Sequence, residues 1–220
     1  MNPLKFSDLG LSDPIQLALK SRNHLTPTPI QAKAIPELLK GSDVLGIAQT
    51  GTGKTAAFAL PILHRLAQNR GNGKRRDPRA LVLAPTRELA IQIGEEFAAY
   101  GKNLHLRQCV IFGGVKQNPQ VNALKRGVDI IIATPGRLLD LMRQGFINLN
   151  AAGFLVLDEA DRMLDMGFIP DIEFICSKLP DARQTMLFSA TMPPPIEKLA
   201  KKFLDNPKRI EVSRAATTNK

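Results

Sequence analysis

A chain of 220 residues holds one large α/β unit or at most two small ones, and 44% hydrophobic with 23% charged residues suits an ordinary core under a solvated surface. Lys and Arg number 30 against 20 Asp and Glu, a net +10 that favours polyanionic partners, nucleic acid above all, or reflects no more than a basic surface. No apolar run approaches the ~18 residues of a bilayer span, residues 1–7 lack an apolar signal core, and Cys109 and Cys176 lack metal-ligand spacing, so the expectation is a soluble, cytoplasmic chain with two reduced thiols and no membrane partner.

In chain order, Ser12-Asp13-Pro14 marks a helix start, and Pro27, Pro29 and Pro36 are expected to divide the next segment into a turn and a short helix. Strands are expected at 43–48, 80–84, 106–112, 129–133, 154–158, 185–189 and 209–212. Most are apolar on both faces, as Ile130-Ile131-Ile132-Ala133 shows, which is the mark of a parallel sheet covered on each side. Helical periodicity fills 55–66, 86–100 and 193–203, and the βαβαβ order implies a doubly wound three-layer α/β sandwich of about seven mostly parallel strands. The basic, Gly-containing segment 70–79 reads as a solvated loop or an RNA contact, and the polar segment 213–220 as the start of a linker. Neither an internal repeat nor a low-complexity tract interrupts the pattern.

Two motifs carry chemistry. Ala48-Gln49-Thr50-Gly51-Thr52-Gly53-Lys54-Thr55 joins a strand to a helix, with Ala48 where the phosphate-loop consensus has Gly. Gly51 and Gly53 let backbone N–H groups face phosphate oxygens, with Thr50 and Thr52 beside them. Lys54 reaches the β and γ phosphates of a nucleoside triphosphate, and the Thr55 hydroxyl suits Mg²⁺. Asp158-Glu159-Ala160-Asp161 closes the apolar run from Phe154 to Leu157, at the carboxyl end of a strand where open α/β sheets bind ligands. Asp158 is the second metal-facing group, and Glu159 can point toward an attacking water; a helix cap is the plainer alternative.

These two motifs resemble those of a DEAD-box ATP-dependent RNA helicase, and other signatures of the family come in order over about 4–212. Phe6 and Pro27-Thr28-Pro29-Ile30-Gln31 resemble the Q motif, Pro85-Thr86-Arg87-Glu88-Leu89-Ala90 motif Ia, and Gly113-Gly114 the glycine doublet. Thr134-Pro135-Gly136-Arg137 resembles motif Ib and Ser189-Ala190-Thr191 motif III. Arg162-Met163-Leu164-Asp165-Met166-Gly167-Phe168 is similar to the bacterial RhlE type. The resemblance implies a RecA-like P-loop fold using ATP and Mg²⁺, with Gln31 reading the adenine edge and Phe6 packing on the base. A capping amide and an ordinary core Phe are the alternatives. Asn23-His24 stands where the family has Gly followed by Phe or Tyr, and His24 offers a poorer ring whose charge varies near neutral pH.

Pro85, Thr86, Arg87, Gly113, Gly114, Thr134, Pro135, Gly136 and Arg137 form the implied RNA edge, each group coming after an expected strand. Hydroxyls, glycine N–H groups and guanidinium suit phosphate and ribose. With Phe 10, Tyr 1 and Trp 0, few stacking rings are on offer, so little sequence specificity is expected. Ser189 and Thr191 would couple nucleotide state to RNA, or cap the helix after Pro193. The expected division is a Q-motif segment at 1–40, a RecA-like domain at 41–212, and a linker from 213 toward a second RecA-like domain in cis carrying arginine fingers. The fragment is thus expected to be monomeric and to turn over ATP very slowly. The remaining alternatives are a non-catalytic RNA or protein interaction module and, more remotely, a P-loop enzyme acting on DNA.

Overall fold

A computed structural model describes residues 2–69 and 77–213. The linker expected at 213–220 lies, Ser213 apart, outside the described residues, as does most of the basic loop at 70–79.

After a 3-10 turn at Phe6–Asp8, α1 (Asp13–Ser21) and α2 (Pro29–Leu39) lead into the alternating core: β1 (Val44–Ala48), α3 (Lys54–Gln68), β2 (Ala80–Leu83), α4 (Arg87–Tyr100), β3 (Gln108–Ile111), α5 (Asn118–Lys125), β4 (Ile130–Ala133), α6 (Pro135–Arg143), β5 (Phe154–Leu157), α7 (Ala160–Asp165), α8 (Ile169–Cys176), β6 (Gln184–Ser189), α9 (Pro194–Phe203) and β7 (Lys208–Val212). The strands form one sheet in the order β3-β4-β2-β5-β6-β1-β7. Every adjacent pair is parallel, with Val82 opposite both Ile132 and Val156. All seven expected strands are present, and all carboxyl ends therefore lie along one edge.

Side chains alternate across a strand, so each central strand feeds two cores. Val82, Ile130, Ile132 and Val156 enter the core covered by α1 to α4. Leu81, Leu83, Ile131, Leu155 and Leu157 enter the one covered by α5 to α9. Burial on both faces is the reason these strands read as unbroken apolar runs.

Pro36 departs from expectation. It does not end a short helix but lies inside the eleven-residue α2. Ile30, Ala34, Ile35 and Leu38 bury one face of α2 completely, and that packing outweighs the backbone hydrogen bond proline cannot make.

At the amino edge of the sheet, two buried aspartates clamp neighbouring segments. Asp43 accepts from the N–H of Thr185 (2.8 Å) and of Asp205 (2.7 Å). Asp129 accepts from the N–H of Arg107 (2.8 Å) and pairs with Arg79 (3.1 Å). His64 on α3 accepts the Ser12 N–H through Nδ1 (3.1 Å), tying the first helix to the core; burial holds its pKa below the ordinary value, in keeping with a neutral acceptor.

Candidate functional site

The phosphate-loop residues bridge β1 and α3. Gly51 and Gly53 have φ of 85° and 87°, the left-handed region that favours glycine. Gly53 is also locked from behind: a Cβ there would lie 2.5 Å from Gln31 Nε2 and 2.9 Å from Thr28 Oγ1. Thr28 Oγ1 donates to the Thr52 carbonyl (2.8 Å) and Gln31 Nε2 to the Gly53 carbonyl (3.1 Å). Gln31 Oε1 accepts the Thr28 N–H (2.9 Å), closing the start of α2. In this structure Gln31 is both a capping amide and a brace for the loop. Sequence reading named Gln31 but not Thr28, whose role needs the loop carbonyl 24 residues away.

Thr50 and Gly51 are exposed, and Thr52, Gly53 and Thr55 half-buried. Thr52 Oγ1 donates to the Gln49 carbonyl (2.8 Å). Lys54 is buried and its Nζ lies 3.6 Å from Asp158 Oδ1. Asp158, one residue beyond β5, is 1% exposed. The same Oδ1 accepts the Glu159 N–H (3.0 Å). Burial, reinforced by the Glu159 carboxylate, pushes the Asp158 pKa above the usual carboxylate range, with Lys54 and the Glu159 N–H acting against it. An over-desolvated carboxylate beside a hydroxyl and an inward-facing phosphate loop fits Mg²⁺, which takes one or two carboxylates plus substrate phosphates rather than a full protein cage. Among the described residues no cluster of three or more His, Cys, Asp or Glu could hold a metal by itself, consistent with that mode.

Glu159 opens α7 in the left-handed region, φ 50° and ψ 52°. Such strain in a non-glycine residue is held by its surroundings. Here it directs the carboxylate back over the loop: Oε1 accepts from Thr50 Oγ1 (3.5 Å) and Oε2 pairs with Arg162 (3.7 Å). Asp161 Oδ2 accepts from the N–H (3.1 Å) and hydroxyl (3.0 Å) of Thr191. Ser189 Oγ accepts the Asp161 N–H (3.2 Å) and donates to the Thr191 carbonyl (2.7 Å). The tips of β5 and β6 are thereby latched. α9 starts at Pro193 without a side-chain cap, so Ser189 and Thr191 serve the latch and not that helix.

Phe6 is 3% exposed and belongs to the core, with its N–H donated to Leu25 (3.0 Å) and its carbonyl accepting from Gln16 (2.8 Å). Phe6 is not displayed toward the phosphate loop. Asn23 has φ 57°; it donates to Lys20 (2.9 Å) and the next N–H, of His24, to Leu19 (2.9 Å). That closure of α1 demands a left-handed residue, normally Gly and next most readily Asn, which explains Asn at that place. His24 is exposed, its Nδ1 3.4 Å from the Tyr100 hydroxyl.

The remaining residues gather at the carboxyl ends of β2, β3 and β4. Pro85 is buried; Thr86 caps α4 by accepting the Leu89 N–H (3.2 Å). Arg87 is exposed, its guanidinium 4.9 Å over the Phe112 ring. Thr134 and Pro135 open α6. Arg137 donates to Gln120 (3.2 Å) and the Val115 carbonyl (2.9 Å), and Gln120 to the Phe112 carbonyl (3.0 Å). Sequence reading missed Phe112 and Gln120, which fasten the glycine doublet to its neighbours. Gly114 takes φ 78°, but Gly113 and Gly136 are exposed, lack positive φ, and have nothing within 4 Å of a Cβ position. The fold itself does not demand glycine at those two places; close approach by something outside it would.

Comparison with known proteins agrees in detail. The model of the family described as DEAD/DEAH box helicase matches residues 28–199. A relative named ATP-dependent RNA helicase DeaD, from Buchnera aphidicola subsp. Acyrthosiphon pisum, is 49% identical over 214 residues, covering 97% of this chain and 35% of the relative. Its namesake from Escherichia coli K12 is 46% identical over 214 residues, covering 97% and 33%. The crystal structure of a DEAD box protein from the hyperthermophile Methanococcus jannaschii superposes with a TM-score of 0.88 at 40% identity, covering 95% of this chain and 56% of that one. The chain thus spans about a third of the length of these DeaD relatives. They carry the name DeaD and not RhlE, so the subtype expected from residues 162–168 is corrected; the segment Arg162–Phe168 does not separate the two.

Proposed function

The chain belongs to the DEAD/DEAH box helicase family, and on that premise we propose that it is the ATP-binding, RNA-contacting RecA-like unit of an ATP-dependent RNA helicase. The observation that carries the reading is the buried Lys54–Asp158 pair, 3.6 Å apart behind an inward-facing phosphate loop. A bound triphosphate would receive Lys54 and the loop N–H groups at its β and γ phosphates. Mg²⁺, held by Asp158 and Thr55, would supply charge neutralisation across the phosphates. Glu159, released from Thr50, would orient the attacking water and take its proton. Phosphoryl transfer asks little more of the protein than such positioning.

Thr86, Arg87, the Gly113-Gly114 doublet, Thr134, Gly136 and Arg137 would grip the RNA backbone, and the open space around Gly113 and Gly136 supports that reading. Pro85 and Pro135 shape those turns. The Ser189–Thr191 to Asp161 latch would pass the state of the nucleotide to this edge. Gln31 would read adenine only by exchanging a bond it now makes, whereas Phe6 would support the pocket from within the core. His24 would offer its ring to the base.

The division proposed is a Q-motif segment at 1–40 braced on a RecA-like domain at 41–212, with unwinding or remodelling of RNA, in the cytoplasm, requiring a second RecA-like domain in cis. Among the described residues no helix is long and apolar enough to cross a membrane. Titration of a fluorescent adenine nucleotide with Mg²⁺ tests the site. Saturable binding that Lys54→Ala removes and Glu159→Gln keeps is expected; binding indifferent to Lys54 would overturn the assignment.

A further inference from the structure

From Phe97 to Val128 the chain contains no Asp or Glu, while Lys102, Arg107, Lys116, Lys125 and Arg126 all fall within it. That stretch builds one edge of the sheet, β3 with α5 packed on it. Lys116 lies at the carboxyl end of β3, beside the glycine doublet; Lys125 and Arg126 close α5 at the amino end, and all three are exposed. At that amino end an open cavity of about 520 Å³ is lined by Arg107, Gln108, Ala123, Arg126, Gly127 and Val128.

The cavity has the make-up of an anion site. Arg107 spends Nη1 on the Arg126 carbonyl (3.0 Å), which fixes its guanidinium at the rim. No hydrogen bond or ion pair engages the Arg126 guanidinium among the described residues. Gly127, at φ 84°, turns the chain from α5 toward β4. The nearest carboxylate, Asp129, is buried and engaged by Arg79 and the Arg107 N–H. Ala123 and Val128 give the wall an apolar side. Beta strands rise roughly 3.3 Å per residue, so four-residue β3 separates this cavity from the glycine doublet by about 13 Å, a span that one extended strand of a few nucleotides covers.

We propose that the β3–α5 edge is a second polyanion track: RNA leaving the Gly113-Gly114 and Arg137 region runs along α5, and a backbone phosphate seats between Arg107 and Arg126. This rests on the RNA-contacting role proposed for the chain. The ligand chemistry is a phosphate diester, and charge with little base contact makes the track indifferent to sequence.

The test is anisotropy of labelled single-stranded RNAs of about 6 and about 15 nucleotides, within the usual range of single-strand site sizes, on this chain, its Arg107→Gln/Arg126→Gln variant, and Arg137→Ala. The double variant should keep its melting temperature and its affinity for the shorter RNA. Its salt slope on the longer RNA should fall by about 1.4, roughly 0.7 for each lost contact. An unchanged slope on the longer RNA overturns the track, as does equal weakening on both RNAs, which marks a general charge effect. If Arg137→Ala weakens both RNAs while the double variant is silent, the RNA reading stands and the track falls. If the unaltered chain binds neither, both fall. Titration with inorganic phosphate supplies the last arm: phosphate binding lost in the double variant while RNA binding is unaffected would make the cavity a small-anion site and overturn its assignment to RNA.

Discussion

Single residues decide the chemistry of the site. Lys54 and Asp158 are each buried with the other as charged partner, so removing one strands the other. Lys54→Ala should destabilise the nucleotide-free chain by about 3–5 kcal/mol at neutral pH, measured by urea unfolding. The pKa of Asp158 is raised in the fold, so the stability linked to its neutral form is fully present below the unfolded carboxyl value, near 3.9, and is lost as pH rises through the folded value. The penalty of Lys54→Ala should accordingly shrink as pH is lowered; a penalty constant with pH would mean that Asp158 does not carry it. Gly136→Ala provides the opposite signature. Nothing lies within 4 Å of its Cβ position and alanine favours helix by up to about 1 kcal/mol. Melting temperature should hold or rise slightly while RNA affinity drops; unaltered RNA affinity would remove Gly136 from the edge.

Elements depend on close approach between neighbours. Strand β1 passes β6 with Gly46 against Phe188: a Cβ on Gly46 would meet the ring at 2.5 Å. Phe188 is fully buried and its ring centroid lies 5.5 Å from that of Phe58 on α3, so it has little room to yield. Gly46→Ala should lower stability by about 1–3 kcal/mol through overpacking, and adding Phe188→Leu should return part of it. No loss on thermal melting would show that the β1–β6 contact adjusts. The same logic governs Pro36 in α2. Periodicity and proline rules treat a helix as isolated, but α2 packs on α3 and β7, and that burial decides its length.

Across the whole molecule, strand order sorts the chemistry. β1, β5 and β6 adjoin and carry the nucleotide-facing residues, whereas β2, β3 and β4 adjoin and carry the exposed glycines and arginines. Cys109 and Cys176 sit one in the strand at the sheet's edge and one at the end of α8, both buried. Burial raises their thiols to about 11 and about 12. The stability gained from keeping them neutral is complete below the unfolded thiol value, near 8.5, and is lost as pH rises toward those values. Alkylation at pH 8 should therefore be slow in the native chain and keep pace with unfolding; rapid native labelling would contradict the burial.

Much was legible from sequence because the signals are local. Alternating apolar runs announced every strand, the left-handed glycines and Lys54 stand within a few residues of one another, and Asp158-Glu159 comes directly after its strand. Gln31, Phe6 and the Ser189–Thr191 segment were legible as positions but not as contacts. Gln31 braces the phosphate loop, Phe6 fills the core, and Thr191 bonds Asp161 in place of capping a helix. Those partners lie far off in the chain, and hydrogen-bond geometry does not exist until the sheet has brought strand tips together. The sequence by itself determined the element order, the parallel sheet and the residues able to hold a phosphate, because propensity, periodicity and loop chemistry act over a few neighbours. Only the tertiary structure decided that β3 and β4 lie at one edge beside β2, that the Phe97–Val128 stretch forms a continuous basic flank, and which donors meet which acceptors, because strand order is set by long-range packing that no local pattern encodes.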